Sequence, residues 1–148
     1  MIKYACESVQ NVEQEIRPLL AAHWREIAHY QDIPLVPDWD FYLRAQTVRV
    51  YTARDDGRLI GYGVFFVSHN RHYMTSVQGV QDILFILPEY RGRTVGPRLI
   101  RFCEEQVKAE RAQCVYHHVK CANDFGPLLR AMGYEEVETI WAKRLDKG

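Results

Sequence analysis

The stretch Asp82-Ile-Leu-Phe-Ile-Leu-Pro88-Glu-Tyr-Arg91-Gly92-Arg93-Thr94-Val95-Gly96-Pro97-Arg98-Leu-Ile100 reads as a buried strand, a tight loop and a helix start. Ile83 to Leu87 is an unbroken apolar run, and it stops at Pro88, which cannot donate to a ladder. From Val95 the apolar residues return every fourth position, at Leu99, Cys103 and Val107, which is the repeat of one helix face. Arg101–Glu105 and Glu104–Lys108 add opposite charges at i,i+4 in the same register. The first turn of a helix has N–H groups without partners and the positive end of the dipole, so this junction is a natural anion seat. Gly92 and Gly96 let the backbone approach an anion closely, and Arg91, Arg93, Arg98 and Arg101 add positive charge. No Gly-Lys-Ser/Thr follows, so the phosphate loop of nucleoside triphosphatases is absent.

Working outward, residues 2–6 read as a short strand. Val12, Ile16, Leu19, Leu20, His23 and Ile27 then have helical spacing, with Pro18 expected to kink or divide that helix. Prolines mark residues 33–37 as a loop, and Asp38 is a good N-cap for a short helix to about Arg44. Val48 to Thr52 alternates, Asp55-Asp56-Gly57 signals a hairpin, and Leu59 to Val67 is rich in strand formers. Tyr73 to Leu87 is strand-like, with Gly79 expected to mark a bulge. Cys114 to Lys120 reads as a strand, Asp124 to Met132 as a helix stopped by Gly133, and Tyr134 to Leu145 as one or two closing strands. This order gives an α+β domain with a mixed sheet, not a doubly wound one.

The 148 residues fit a single domain spanning 1–148, and Lys+Arg and Asp+Glu both total 19. With no net charge there is no global field toward nucleic acid or an anionic membrane, and neither is an expected partner. No apolar run is long enough to span a bilayer, and Met1 to Cys6 lacks the apolar stretch of a secretory signal, so a cytoplasmic protein is expected. Cys6, Cys103, Cys114 and Cys121 form no CxxC pair and fit reduced thiols. Cys114, His117, His118 and Cys121 invite a metal reading, but on a strand they would divide between two faces, so no metal is expected.

Leu-Pro-Glu-Tyr-Arg91-Gly-Arg-Thr94-Val-Gly96 resembles the acyl-CoA motif of the GNAT superfamily of N-acetyltransferases. Arg91 takes the motif's Gln/Arg position and Gly96 its last small position, while Thr94 replaces the middle glycine. The order of elements is also similar over most of the chain. The resemblance implies a three-layer domain, a central mixed and mostly antiparallel sheet flanked by helices. It implies acetyl-CoA as co-substrate, held at Arg91, Gly92, Arg93, Thr94, Val95 and Gly96 with the N–H groups of Arg93 to Gly96 as donors, by the strand residues Phe85, Ile86 and Leu87 with Phe85 and Ile86 polarising the thioester, and by Asn123. Thr94 is also suited to cap the helix that follows.

By the same resemblance, Asp82 is the general base, and an amine, of a small molecule or of a peptide or protein, attacks the thioester directly. The usual tyrosine acid is replaced by Leu129, which leaves Tyr134, Tyr116, His117 and His118 as neighbouring substitutes. A homodimer is common in the family. Leu129 and Thr94 also motivate a second reading, a non-catalytic acyl-CoA-binding or interaction module with the same fold. A phosphate-binding protein unrelated to CoA is the third.

Overall fold

The computed structural model describes residues 1–147. In chain order the elements are β1 (Ile2–Glu7), α1 (Val9–Ile27), α2 (Trp39–Arg44), β2 (Val48–Asp55), β3 (Arg58–His69), β4 (Val77–Ile86), α3 (Val95–Ala109), β5 (Cys114–Tyr116) and α4 (Gly126–Ala131). Short 3-10 turns at Pro88–Tyr90 and Cys121–Asn123 precede α3 and α4. The sheet runs β1-β2-β3-β4-β5, antiparallel except for the parallel pair β4–β5. This is the mixed, mostly antiparallel α+β sheet expected.

Two apolar layers hold the sheet. On one face Val12, Ile16 and Leu20 of α1 pack on Val50, Tyr62, Val64, Ile83 and Phe85. On the other, Val95, Leu99, Cys103 and Val107 of α3 pack on Tyr51, Ala53, Phe65 and Val67. Each helix buries the stripe that its i,i+4 spacing created, and this packing, more than helix propensity, stabilises it.

Several local expectations are met. The Asp38 carboxylate accepts the Phe41 N–H at 3.0 Å and caps α2. Asp56 and Gly57 have φ of 47° and 89°, the two positive values of a tight hairpin turn. Gly133 at φ 95° ends α4, with its N–H bonded to Arg130 O and that of Tyr134 to Leu129 O.

Others are corrected. Pro18 does not divide α1, because apolar residues before and after it (Val12, Ile16; Leu20, Ile27) dock on one sheet face while Pro18 itself is exposed. Tyr73 to Ser76 are a turn, not strand: the Asn70 side chain accepts the N–H groups of His72 and Tyr73. The bulge lies not at Gly79, which pairs regularly with Val67, but at Asp82, where Val64 opposes Ile83 and Phe65 opposes Gln81. Gly79 is small for another reason: a Cβ there would meet Val107 Cγ1 of α3 at 2.6 Å. No strand forms between Tyr134 and Leu145. Tyr134 is tied to Glu104 of α3 and Arg144 to Asp32, while Val137, Ile140 and Trp141 between them stay exposed.

Candidate active site

The parallel pairing of β4 with β5 covers only Gln78 to Val80. Beyond it the two chains part, and side chains span the gap: Gln81 Nε2 donates to His118 O at 3.4 Å, and Gln81 Oε1 lies 2.6 Å from His117 Nδ1. From Gln81 onward one edge of β4 is therefore free of strand partners. The Leu87 N–H donates to Ile60 O of β3 at 2.9 Å. Since N–H directions alternate along a strand, those of Phe85 and Leu87 face β3, and those of Leu84 and Ile86 face the free edge. Of Phe85, Ile86 and Leu87, only Ile86 turns a backbone donor to that edge. Leu84, not singled out from the sequence, turns the other.

The free edge leads to the α3 start. Among the described residues no acceptor pairs with the N–H groups of Gly92, Arg93, Thr94, Val95 or Gly96. Gly92 has φ 76°, a conformation that needs glycine, whereas Gly96 has an ordinary one. Thr94 stands at the N-cap position but in helical conformation (φ −82°, ψ −8°), and its hydroxyl caps nothing. This corrects the expectation of a threonine cap, and it leaves the first-turn donors available to a ligand. Pro97, in that first turn, contributes none. The Arg93 guanidinium lies over the Tyr90 ring. Arg91 turns the other way: its Nε donates to Ile86 O at 2.8 Å and Nη2 pairs with Glu26 at 2.9 Å.

At the bulge, Asp82 points to the α1/α2 face. Its Oδ2 accepts the Tyr42 hydroxyl at 2.6 Å. Burial, and then that hydrogen bond, holds the Tyr42 phenol above its usual range, so Tyr42 stays protonated as a donor. The Tyr62 hydroxyl, fully buried, has no hydrogen-bond partner among the described residues and lies near the Asp82 charge. Asp82 lines a cavity of about 350 Å³ between α1, α2 and the sheet, whose walls include Trp24, Trp39, Phe41 and Tyr42. The bulge, the cavity and Tyr42 as partner of Asp82 carry no local sequence signal beyond the aromatic content of α2.

Tyr134 donates to Glu104 Oε1 at 2.6 Å, and burial and that carboxylate raise its phenol further. Leu129 is buried in α4. Asn123 sits in the turn that packs against α1, its side chain without a hydrogen bond in the described chain. The cap position of α4 belongs to Phe125. Tyr116 ends β5, His118 is exposed, and no three His, Cys, Asp or Glu side chains among the described residues are grouped to hold a metal.

Burial pushes His23 and His117 down to about 4. A lowered histidine is neutral in the folded state at pH values where the unfolded chain already binds a proton. Stability is thus intact above about 6.5 and is lost as pH falls from there toward 4, by on the order of 3 kcal/mol per histidine at full effect. Urea midpoints at pH 7 and 4.5 should show this drop, and His23→Leu should shrink it. An equal drop in that variant would remove His23 from the account.

The family model described as "Acetyltransferase (GNAT) family" matches residues 11–133. No curated protein matches the chain. Among solved structures, the ribosomal-protein-alanine N-acetyltransferase from Brucella melitensis biovar Abortus 2308 superposes with TM-score 0.75 at 17% identity, over 98% of this chain and 99% of that one. The aminoglycoside N-acetyltransferase AAC(6')-Iy in complex with CoA has TM-score 0.74 at 21% identity, over 98% and 95%. An aminoglycoside acetyltransferase from an uncultured soil metagenomic sample has TM-score 0.76 at 12% identity, over 97% and 96%. These likenesses establish the shared fold.

Proposed function

The chain belongs to the GNAT family of acetyltransferases, and on that basis we propose that it transfers an acetyl group from acetyl-CoA to a primary amine held beside Asp82. The observation that carries the proposal is the alignment of a free β4 edge with five unpaired N–H groups at the α3 start. That pattern suits a long ligand with amides in its arm and a pyrophosphate at its end. A similar fold described in complex with CoA supports the same choice.

When bound, acetyl-CoA supplies an activated thioester, whose carbonyl carbon bonds to the amine nitrogen as its C–S bond breaks, the thiolate taking up the nitrogen's second proton to leave as CoA thiol. The backbone of Gly92 to Gly96 holds the pyrophosphate, with Arg93 beside it. Leu84 and Ile86 turn N–H groups to the free edge, where they orient the arm and polarise the thioester carbonyl. Arg91 releases the Ile86 carbonyl to make room for the arm. Asn123 adds an amide at the far wall. Asp82 pairs with the incoming ammonium, takes its proton as general base and passes it to water, while Tyr42 keeps the carboxylate aimed. Tyr134 is not the acid in this scheme, because a tyrosinate would form against the Glu104 carboxylate. Unpaired Cys6, Cys103, Cys114 and Cys121 fit a cytoplasmic setting.

Calorimetric titration with acetyl-CoA should give saturable binding in the micromolar range or tighter. No heat and no thermal shift at millimolar acetyl-CoA would sink the proposal. Amine-dependent CoA release, followed with a thiol reagent, separates an enzyme from a binding module.

A further inference from the structure

Resting on the acceptor site proposed above, we infer that its amine is an arylalkylamine or one of similar shape: a single ammonium on a flat apolar body. The cavity of about 350 Å³ has the size of a small-molecule site. Its chemistry is one-sided. Trp24 from α1 and Trp39, Phe41 and Tyr42 from α2 supply aromatic walls, and the carboxylates on its lining are Asp38 and Asp82. Asp38 is engaged as the α2 cap. Asp82 therefore remains as the anion for one cationic head, with Oδ2 on Tyr42 and Oδ1 without a hydrogen bond in the described chain.

A cation beside a half-buried carboxylate and aromatic faces is favoured twice, by charge and by the ring quadrupoles. A polyhydroxylated polycation meets the opposite balance. Each hydroxyl or further ammonium carried into this space would lose water without finding a partner on the apolar walls. A plain aliphatic amine keeps the ammonium contact and gives up the flat stacking surface. The predicted selectivity thus follows from the wall residues, and the chemistry at Asp82 is the same for every amine.

Trp24 and Trp39 line the cavity, whereas Trp141 is 91% exposed, so tryptophan emission reports occupancy without any turnover. With CoA saturating, 2-phenylethylamine and tryptamine are titrated beside n-butylamine, kanamycin and a lysine-containing peptide, and in separate reactions with acetyl-CoA the acetylation of each is followed by CoA release. Emission quenching is read for all of them except tryptamine, whose own indole masks it. We expect 2-phenylethylamine to bind at least 10-fold more tightly than butylamine or kanamycin, and both arylalkylamines to show the highest kcat/KM. Trp39→Gln should lower the 2-phenylethylamine affinity about 10-fold and leave acetyl-CoA affinity within twofold, which also reports an intact fold. Kanamycin or the peptide outperforming the arylalkylamines would overturn the inference while keeping the acetyltransferase reading. Absence of CoA binding, or of acetylation of any amine, would instead strike at that reading itself.

Discussion

Gly96→Asp is expected to lower acetyl-CoA affinity by about 100-fold or more while leaving the fold at least as stable as before. The first turn of α3 presents N–H groups without partners, and their positive end is what would hold a pyrophosphate. A carboxylate placed there competes for the same donors and repels the ligand's negative charge. A loss of about 100-fold corresponds to about 2.7 kcal/mol, a reasonable size for like charges in a half-shielded site. The change should not unfold the protein. Gly96 has an ordinary backbone conformation, and the nearest atom to a Cβ there is Ile86 Cδ1 at 3.4 Å, an ordinary contact. An acidic side chain in the first turn should even add about 0.3–1 kcal/mol of helix stability. The paired measurement is calorimetric affinity and urea midpoint. Affinity within threefold of the parent would remove the α3 start as the pyrophosphate seat.

Asp82→Asn is expected to lower kcat by about 100- to 1000-fold, the usual contribution of a positioned base. The amide keeps an oxygen to accept the Tyr42 hydroxyl, so the arrangement around the bulge should persist. It can neither remove a proton nor pair with an ammonium, so the amine KM should rise as well. Acetyl-CoA affinity should stay within twofold, because the donors for that ligand lie along the free edge of β4 and at the α3 start, away from the α1/α2 face that Asp82 points to. Unchanged turnover with the best amine would end the assignment of Asp82 as base, and Asp82→Glu tests the requirement for a carboxylate.

The run Ile83 to Leu87 stopped by Pro88, and the Leu99, Cys103, Val107 stripe, are local patterns with one physical solution each. Both appear where expected. Asp38 as cap, Asp56-Gly57 as turn and Gly133 as stop were legible for the same reason: each satisfies or frees a backbone group within three residues of itself. The bulge was not, since an extra residue in β4 is defined only by what lies opposite on β3. Nor was the strand parity. Whether Phe85 or Leu84 turns its N–H to the free edge depends on the register with β3, and a shift of one residue inverts it. Cys114 to Lys120 reads as a longer strand than forms, because β4 pairs with only three of those residues. Tyr134 to Leu145 had strand-like composition, yet it pairs with none of the edges that β5 and the end of β4 leave open.

By itself the sequence determined that a helix start with unpaired N–H groups follows Arg91, since those groups of a first helical turn come from the chain within a few residues. It also determined the order of strands and helices as far as α4, from which the mixed sheet follows. Only the tertiary structure decided that the helix start stays uncapped by Thr94, and that Leu84 and Ile86 face the free edge. It alone brought Asp82 onto Tyr42, 40 residues away in the chain, at the rim of an aromatic cavity. Those features depend on the mutual register and packing of segments far apart in sequence, and no local pattern encodes that.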